Sequence, residues 1–189
     1  LSRVIYMNQY ACAITGHRPT RFCFGYNEED PLCQKLKECL LEQFRILHDE
    51  KFVRTFFVGG ALGVDMWAGE QLLTLRAQTG YEDIKIVVVV PFIARRQRQM
   101  CIRDRSRHRL KKLIQNANDS IVISHSADVS SYKKRNYYMV DHAEYLIGVF
   151  DNQKKLRSGT AQTVNYALHQ GKVITLIHPD TMEITAPAP

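Results

Sequence analysis

Phe52-Val53-Arg54-Thr55-Phe56-Phe57-Val58-Gly59-Gly60-Ala61-Leu62-Gly63-Val64-Asp65 is the stretch that decides the fold. An apolar run of strand length, rich in aromatic and β-branched residues, stops at two adjacent glycines, and a third glycine precedes an acid. Beyond it Met66, Ala68, Leu72, Leu73 and Leu75 recur at helical spacing until Gly80 and Asp83 break the pattern. Strand, glycine turn and helix in that order form the unit of a parallel sheet.

The same unit repeats on either side. Upstream, the short apolar run over 9–15 ends at Gly16 and predicts a buried first strand; a turn-rich loop over 19–31 carries Phe22, Phe24 and Tyr26. Leu36, Leu40, Leu41, Phe44 and Leu47 then predict a helix over 32–49, and the quoted strand follows over 52–58. Downstream, strands are predicted over 85–90 (stopped by Pro91), 120–124, 145–151 and 172–177. Helices are predicted over 110–117, 132–143 and 161–170, the last ended by Gly171. The alternation predicts an α/β, Rossmann-like, mainly parallel sheet with helices on both faces, in a single domain over 7–180. Residues 1–6 precede Met7 and read as an extraneous leader, and 181–189 as a tail, disordered from Thr185.

Composition agrees. At 189 residues with 45% hydrophobic and 24% charged residues, the chain suits one globular domain. Its longest apolar run, 86–93, is far shorter than the ~20 residues of a membrane span. No basic stretch followed by an apolar one opens the chain, so a cytoplasmic location is expected. The five cysteines include no C-x-x-C pair, which argues against a disulfide framework or a zinc site.

The formal charge of +7 is concentrated in one place. Residues 94–112 hold nine Arg or Lys against Asp104 alone, a local +8 that leaves the rest of the chain at −1. Within them, Arg98-Gln99-Met100-Cys101-Ile102-Arg103-Asp104-Arg105 looks like a peptide that recurs in translations of assembled metagenomic reads, where it derives from adaptor sequence. With few apolar residues to pack, 95–109 is expected to be mobile, neither an element of the fold nor a DNA site.

In a parallel sheet, ligands bind beyond the carboxyl ends of the strands. Three glycine turns fall there: Thr15-Gly16-His17-Arg18-Pro19, Gly59 to Asp65, and Ser158-Gly159-Thr160. Glycine lets the backbone approach an anion, and free N–H groups with the dipole of a helix start favour phosphate. The dipole alone contributes only ~0.3–1 kcal/mol, so converging amides and a cation such as Arg18 must supply most of the hold. The glycines of the second turn, Gly59, Gly60 and Gly63, read either as a ligand cradle or as tight packing. Asp65 reads equally as a first-turn acid complementing the dipole and as a contact to a ligand hydroxyl. His17 reads as a hydrogen-bonding turn residue before a catalyst, and Ser158 and Thr160 as helix caps compatible with phosphate binding. Arg135 and Asn136 are placed to reach the crevice from the predicted helix that also carries Asp141, whereas Tyr137, Tyr138 and Trp67 read as packing residues.

Ala13-Ile14-Thr15-Gly16-His17-Arg18-Pro19, Gly59-Gly60-Ala61-Leu62-Gly63-Val64-Asp65-Met66-Trp67-Ala68, Arg135-Asn136 with Met139-Val140-Asp141-His142-Ala143, and Ser158-Gly159-Thr160 together resemble the YpsA-like bacterial proteins of the SLOG superfamily. That superfamily also contains the DNA-processing protein DprA and the LOG phosphoribohydrolases. The resemblance implies a Rossmann-like fold and a nucleotide-derived ligand held at Gly16, Arg18, Gly60, Gly63, Asp65, Gly159 and Thr160. LOG enzymes carry a glutamate three residues after the threonine, whereas Thr160 is followed by Ala161, Gln162 and Thr163. Residues 94–109 also depart from the mixed acidic stretch usual in YpsA-like sequences.

The leading expectation is a non-catalytic domain that binds or senses a phosphate-containing small molecule of the adenine nucleotide or ADP-ribose type, with no further cofactor. A nucleotide hydrolase using Asp65, Glu70 or Asp141 is the second, and a single-stranded DNA binder the third. No membrane partner is expected, and a homo-oligomer is compatible with each.

Overall fold

The structure, a computed structural model, describes residues 10–93, 101–152 and 158–187. The leader expected over 1–6 and the arginines at 95, 96 and 98 lie outside them. The elements run β1 (Tyr10–Gly16), α1 (Pro31–Lys51), β2 (Val53–Val58), α2 (Val64–Arg76), β3 (Lys85–Phe92), α3 (Cys101–Asn116), β4 (Asp119–Ser124), α4 (Ser130–Asp141), β5 (Tyr145–Val149), α5 (Gly159–His169), β6 (Val173–Ile177) and β7 (Ile184–Thr185). The strands lie in the order β4-β3-β2-β1-β5-β6-β7, all parallel except the last pair. The predicted α/β architecture is therefore the one observed.

Alternation along each strand divides the core into two layers. Cys12, Ile14, Phe56, Val58, Ile86 and Val88 face one cluster, filled by α1, α2 and α3 through Leu36, Leu40, Phe44, Trp67, Leu72 and Leu113. Ala11, Ala13, Phe57, Val87 and Val89 face the other, filled by α4 and α5 through Met139, Val140, Val164 and Ala167. The loop before α1 belongs to the first layer: Phe22 and Phe24 stack at 5.0 Å and both lean on Trp67. Asp30 caps α1 by accepting from the Leu32 amide at 2.9 Å, with Pro31 at the first helical position.

Several boundaries differ from expectation, three of them for reasons the local structure shows. Phe52, read as the first residue of a strand, is the left-handed C-cap of α1 (φ 58°) and is exposed. Pro91 does not stop β3, because β2 ends opposite Val88 and no rung on that side needs the missing proline N–H. The tail is partly folded, since Ile184 and Thr185 pair with Ile177 and Leu176.

The largest correction concerns the arginine-rich segment. Helix α3 begins at Cys101 rather than at residue 110, and its Arg109 is a fixed part of the fold. Its guanidinium donates to Glu70 through Nε and Nη2, both at 2.8 Å, and to Glu28 through Nη1 and Nη2, at 2.6 and 3.2 Å. It joins the loop before α1, α2 and α3 through one side chain. Leu110 and Leu113 from the same helix pack into the first layer, and Leu113 is buried. Charge pairing, which composition does not reveal, holds what apolar patterning did not predict.

Candidate functional site

Strand order reverses between β1 and β5, so the loops leaving these strands diverge to opposite faces and open a crevice at their carboxyl ends. There a cleft of about 370 Å³ is lined by Thr15, Gly16, His17, Arg18, Asp65, Arg135, Asn136, Ser158, Gly159 and Thr160, ten of the residues singled out from sequence. Thr20, Arg21, Ala61, Leu62 and Tyr132 line it too. The volume falls within the range of small-molecule sites, ~300–1,000 Å³.

Each wall is set by local sequence. The first turn lies against the second with no room for side chains: a Cβ on Gly16 would stand 2.5 Å from Val64, and one on Gly63 would stand 2.6 Å from the His17 carbonyl. Gly63 also sits at φ 93° and Gly60 at φ 72°, conformations that favour glycine. A Cβ on Gly60 would stand 2.6 Å from Leu110. Gly59, Gly60 and Gly63 do not line the cleft; they let its walls meet.

Gly159 differs from these. Nothing lies within 4 Å of where its Cβ would be, at the first turn of α5. Ser158 caps that helix, its Oγ accepting from the Ala161 amide at 3.0 Å, and Thr163 donates to the Gly159 carbonyl at 2.7 Å. Ser158, Gly159 and Thr160 thus present an open, capped helix start to the cleft.

The rest of the lining includes cationic and aromatic side chains. Arg135, on the second turn of α4, is buried and donates through Nη1 to Asp65 Oδ2 at 3.2 Å. Burial pushes the Asp65 carboxyl above its ordinary value, against the pull of Arg135, the Ala61 backbone and Arg18. The exposed Arg18 lies 5.4 Å from the centre of the Tyr132 ring, a cation–π arrangement, and Phe92 braces that ring edge-on at 5.6 Å. His17 packs between Phe22 and Phe150. Burial holds its imidazole below the usual value, Asp151 opposing and Arg21 reinforcing the shift.

Asp141 is not part of the site. It is the last residue of α4, six positions beyond Arg135 and therefore roughly 9 Å further along the axis, where it accepts from the Tyr166 hydroxyl at 2.7 Å. Tyr132 was not singled out from sequence, although its place one turn before Arg135 puts both on one helix face. Thr20 and Arg21 were missed because the single 3-10 turn Pro19–Arg21 that brings them in leaves no periodic pattern.

Comparison with known proteins agrees with this architecture. The family model YpsA (YspA SLOG family) matches residues 12–182. A UPF0398 protein of Staphylococcus epidermidis is 26% identical over 144 residues, covering 75% of this chain and 73% of its own length. The SPbeta prophage-derived protein YoqJ of Bacillus subtilis is 30% identical over 167 residues, covering 80% and 92%. The UPF0398 protein YpsA of the same organism is 24% identical over 157 residues, covering 79% and 83%.

Among solved structures, DprA of Streptococcus pneumoniae superimposes with a TM-score of 0.55 at 14% identity, covering 90% of this chain and 50% of that one. DprA of Helicobacter pylori, in a structure describing its single-stranded DNA binding mode, gives 0.55 at 19% identity, covering 88% and 64%. The chain thus spans between half and two thirds of these DprA chains, and likeness at such identity establishes the fold alone. With the family model spanning nearly the whole described core, the chain belongs to the YpsA family of SLOG proteins.

Proposed function

We propose that the cleft binds a phosphate-containing nucleotide or nucleotide derivative, of the adenine nucleotide or ADP-ribose type, and that the domain acts by binding or sensing it. The observation that carries this reading is the meeting of an open, capped helix start at Ser158, Gly159 and Thr160 with Arg18 and Arg135 around one cleft. Amides, dipole and guanidinium groups converge on a volume suited to a nucleotide. The Tyr132 ring, in the same lining, supplies an apolar face for a base.

Hydrolysis of an N-glycosidic bond needs a carboxylate free to hold or move a proton. The three candidates are engaged elsewhere: Asp65 with Arg135, Glu70 with Arg109, and Asp141 with Tyr166. This favours binding over catalysis. A single nucleic-acid strand is the second reading, favoured by the cation–π pair of Arg18 and Tyr132, since an arginine and an aromatic face also suit an unstacked base beside its phosphate. Arg109, counted from sequence in the basic segment, is neutralised by Glu28 and Glu70 and adds nothing to that reading.

Thermal denaturation with AMP, ADP-ribose, adenosine and a short oligothymidylate separates these readings. AMP or ADP-ribose is expected to raise the melting temperature, with a gain of about 2.7 kcal/mol when ligand is ~100 times its dissociation constant, and adenosine much less. No shift with any phosphate-bearing nucleotide overturns the proposal. A shift only with the oligonucleotide, falling with salt at a slope near −0.7 per phosphate contacted, transfers the site to single strands. Free adenine accumulating from AMP establishes the hydrolase instead.

A further inference from the structure

Arg135 is built into the molecule in a way that its hydrogen bonds alone do not explain. Its side chain is only 7% exposed, its Nη1 is tied to Asp65, and its Nε has no hydrogen-bond partner among the described residues. Buried donors are normally satisfied, so a guanidinium on the wall of a cleft that holds one protein acceptor and an unpaired, enclosed Nε is short of partners. The guanidinium also occupies the place where any side chain at position 59 would stand, since a Cβ on Gly59 would overlap Nη1 and the Asp65 carboxylate. Gly59 is not at positive φ, so no backbone conformation demands glycine there; the guanidinium and the carboxylate that holds it do.

We propose that Arg135 is the phosphate anchor of the cleft, and that Asp65 and Gly59 act only through it, Asp65 as the positioning residue and Gly59 as the slot that admits the guanidinium. Both readings of Asp65 that its sequence left open, dipole partner and contact to a ligand hydroxyl, are replaced by a third. One carboxylate oxygen fixes one end of a planar fork, which leaves the remaining donors oriented before a ligand arrives and lowers the entropic cost of binding. The proposal rests on the cleft being the phosphate site argued above, and its test includes a measurement that needs no nucleotide.

That measurement is NMR of the arginine Nε–H groups in the full chain, with inorganic phosphate as the probe. Arg135 is expected to give a sharp, resolved Nε signal that moves on phosphate addition, and to lose both properties in D65N and in G59A. A sharp signal unmoved by phosphate overturns the anchor, and a signal unaltered in either variant overturns the slot or the positioning residue. Because a Cβ at position 59 crowds both the guanidinium and the Asp65 carboxylate, G59A/D65A/R135M is the companion: it should melt like D65A/R135M, and an equal loss of stability with or without the two side chains shows that Gly59 serves something else.

Calorimetry with nucleotides completes the test. R135Q and D65N should each weaken AMP on the order of tenfold to a hundredfold, leave adenosine unchanged, and show no further loss when combined. Loss of adenosine affinity in D65N, or full additivity with R135Q, places Asp65 on the ligand itself and sinks the positioning role. If phosphate moves the Arg135 signal but no nucleotide binds, the nucleotide reading falls and the anchor stands.

Discussion

Replacing Arg109 with methionine is expected to lower stability by about 2–3 kcal/mol at pH 7, even though four charge-assisted hydrogen bonds are lost. The figure is held down by solvent: the side chains of Arg109, Glu28 and Glu70 keep exposures of 28%, 25% and 40%. Methionine retains most of the apolar stem, so the loss reports the guanidinium. For a domain of this size the melting temperature should fall by roughly 5–10 °C.

The effect carries a pH signature. Burial alone would raise the Glu28 pKa, but hydrogen bonds from Arg109 and Lys37 outweigh it and bring it to about 2. A carboxylate whose pKa is depressed on folding stabilises the fold above its unfolded pKa, and that contribution disappears as pH falls toward the folded value. The gap between wild type and R109M should therefore be full above about pH 4.5 and close as pH approaches 2. Denaturant melts across that range check it; equal stability at pH 7 would show that α3 is not tied down through this residue.

Substituting valine for Gly60 should cost about 3–5 kcal/mol, whereas valine at Gly159 should cost less than 1 kcal/mol. Gly60 combines a φ of 72° with a Cβ position 2.6 Å from Leu110 and 3.4 Å from Val88, so a β-branched side chain is strained by its backbone and crowded by its neighbours. Gly159 has neither constraint, and valine there stands in open space over the start of α5. G159V is thus expected to keep the wild-type melting temperature within a few degrees while weakening AMP. Parallel melts and titrations of the two variants decide the matter: a stable G60V, or a G159V that binds AMP as wild type does, contradicts the roles assigned here.

That contrast also shows what could be read from the chain. Glycines after strands marked the right edge of the sheet, and ten predicted residues do line one cleft. Which glycine faces a ligand and which admits a neighbouring side chain was not legible, because Leu110 and Arg135 come from elements distant in sequence. Asp141 was grouped with Arg135 and Asn136 by proximity along the chain, yet helix geometry carries it to the far end of α4. The basic segment misled for the same reason: the partners of Arg109 lie 39 and 81 residues away. Periodicity records which face of an element is apolar and says nothing about charges that meet across elements.

The central position of β1 governs how the molecule comes into being during translation. Its two neighbours are β2 and β5, and the hydrogen bond from the Ala11 amide to Glu144 Oε2, 2.7 Å long, spans 133 residues. At ~5–20 residues per second a ribosome needs roughly 7–27 s to make that interval, during which one edge of β1 waits unpaired. Exposed strand edges invite association between nascent chains through their unpaired backbone groups, and β1 presents such an edge until β5 is made. The cleft follows the same timetable: Thr15 to Arg18 emerge early, but its lining is incomplete until α5 leaves the ribosome, so a ligand of the kind proposed could not stabilise a nascent chain until nearly all of the sheet is made.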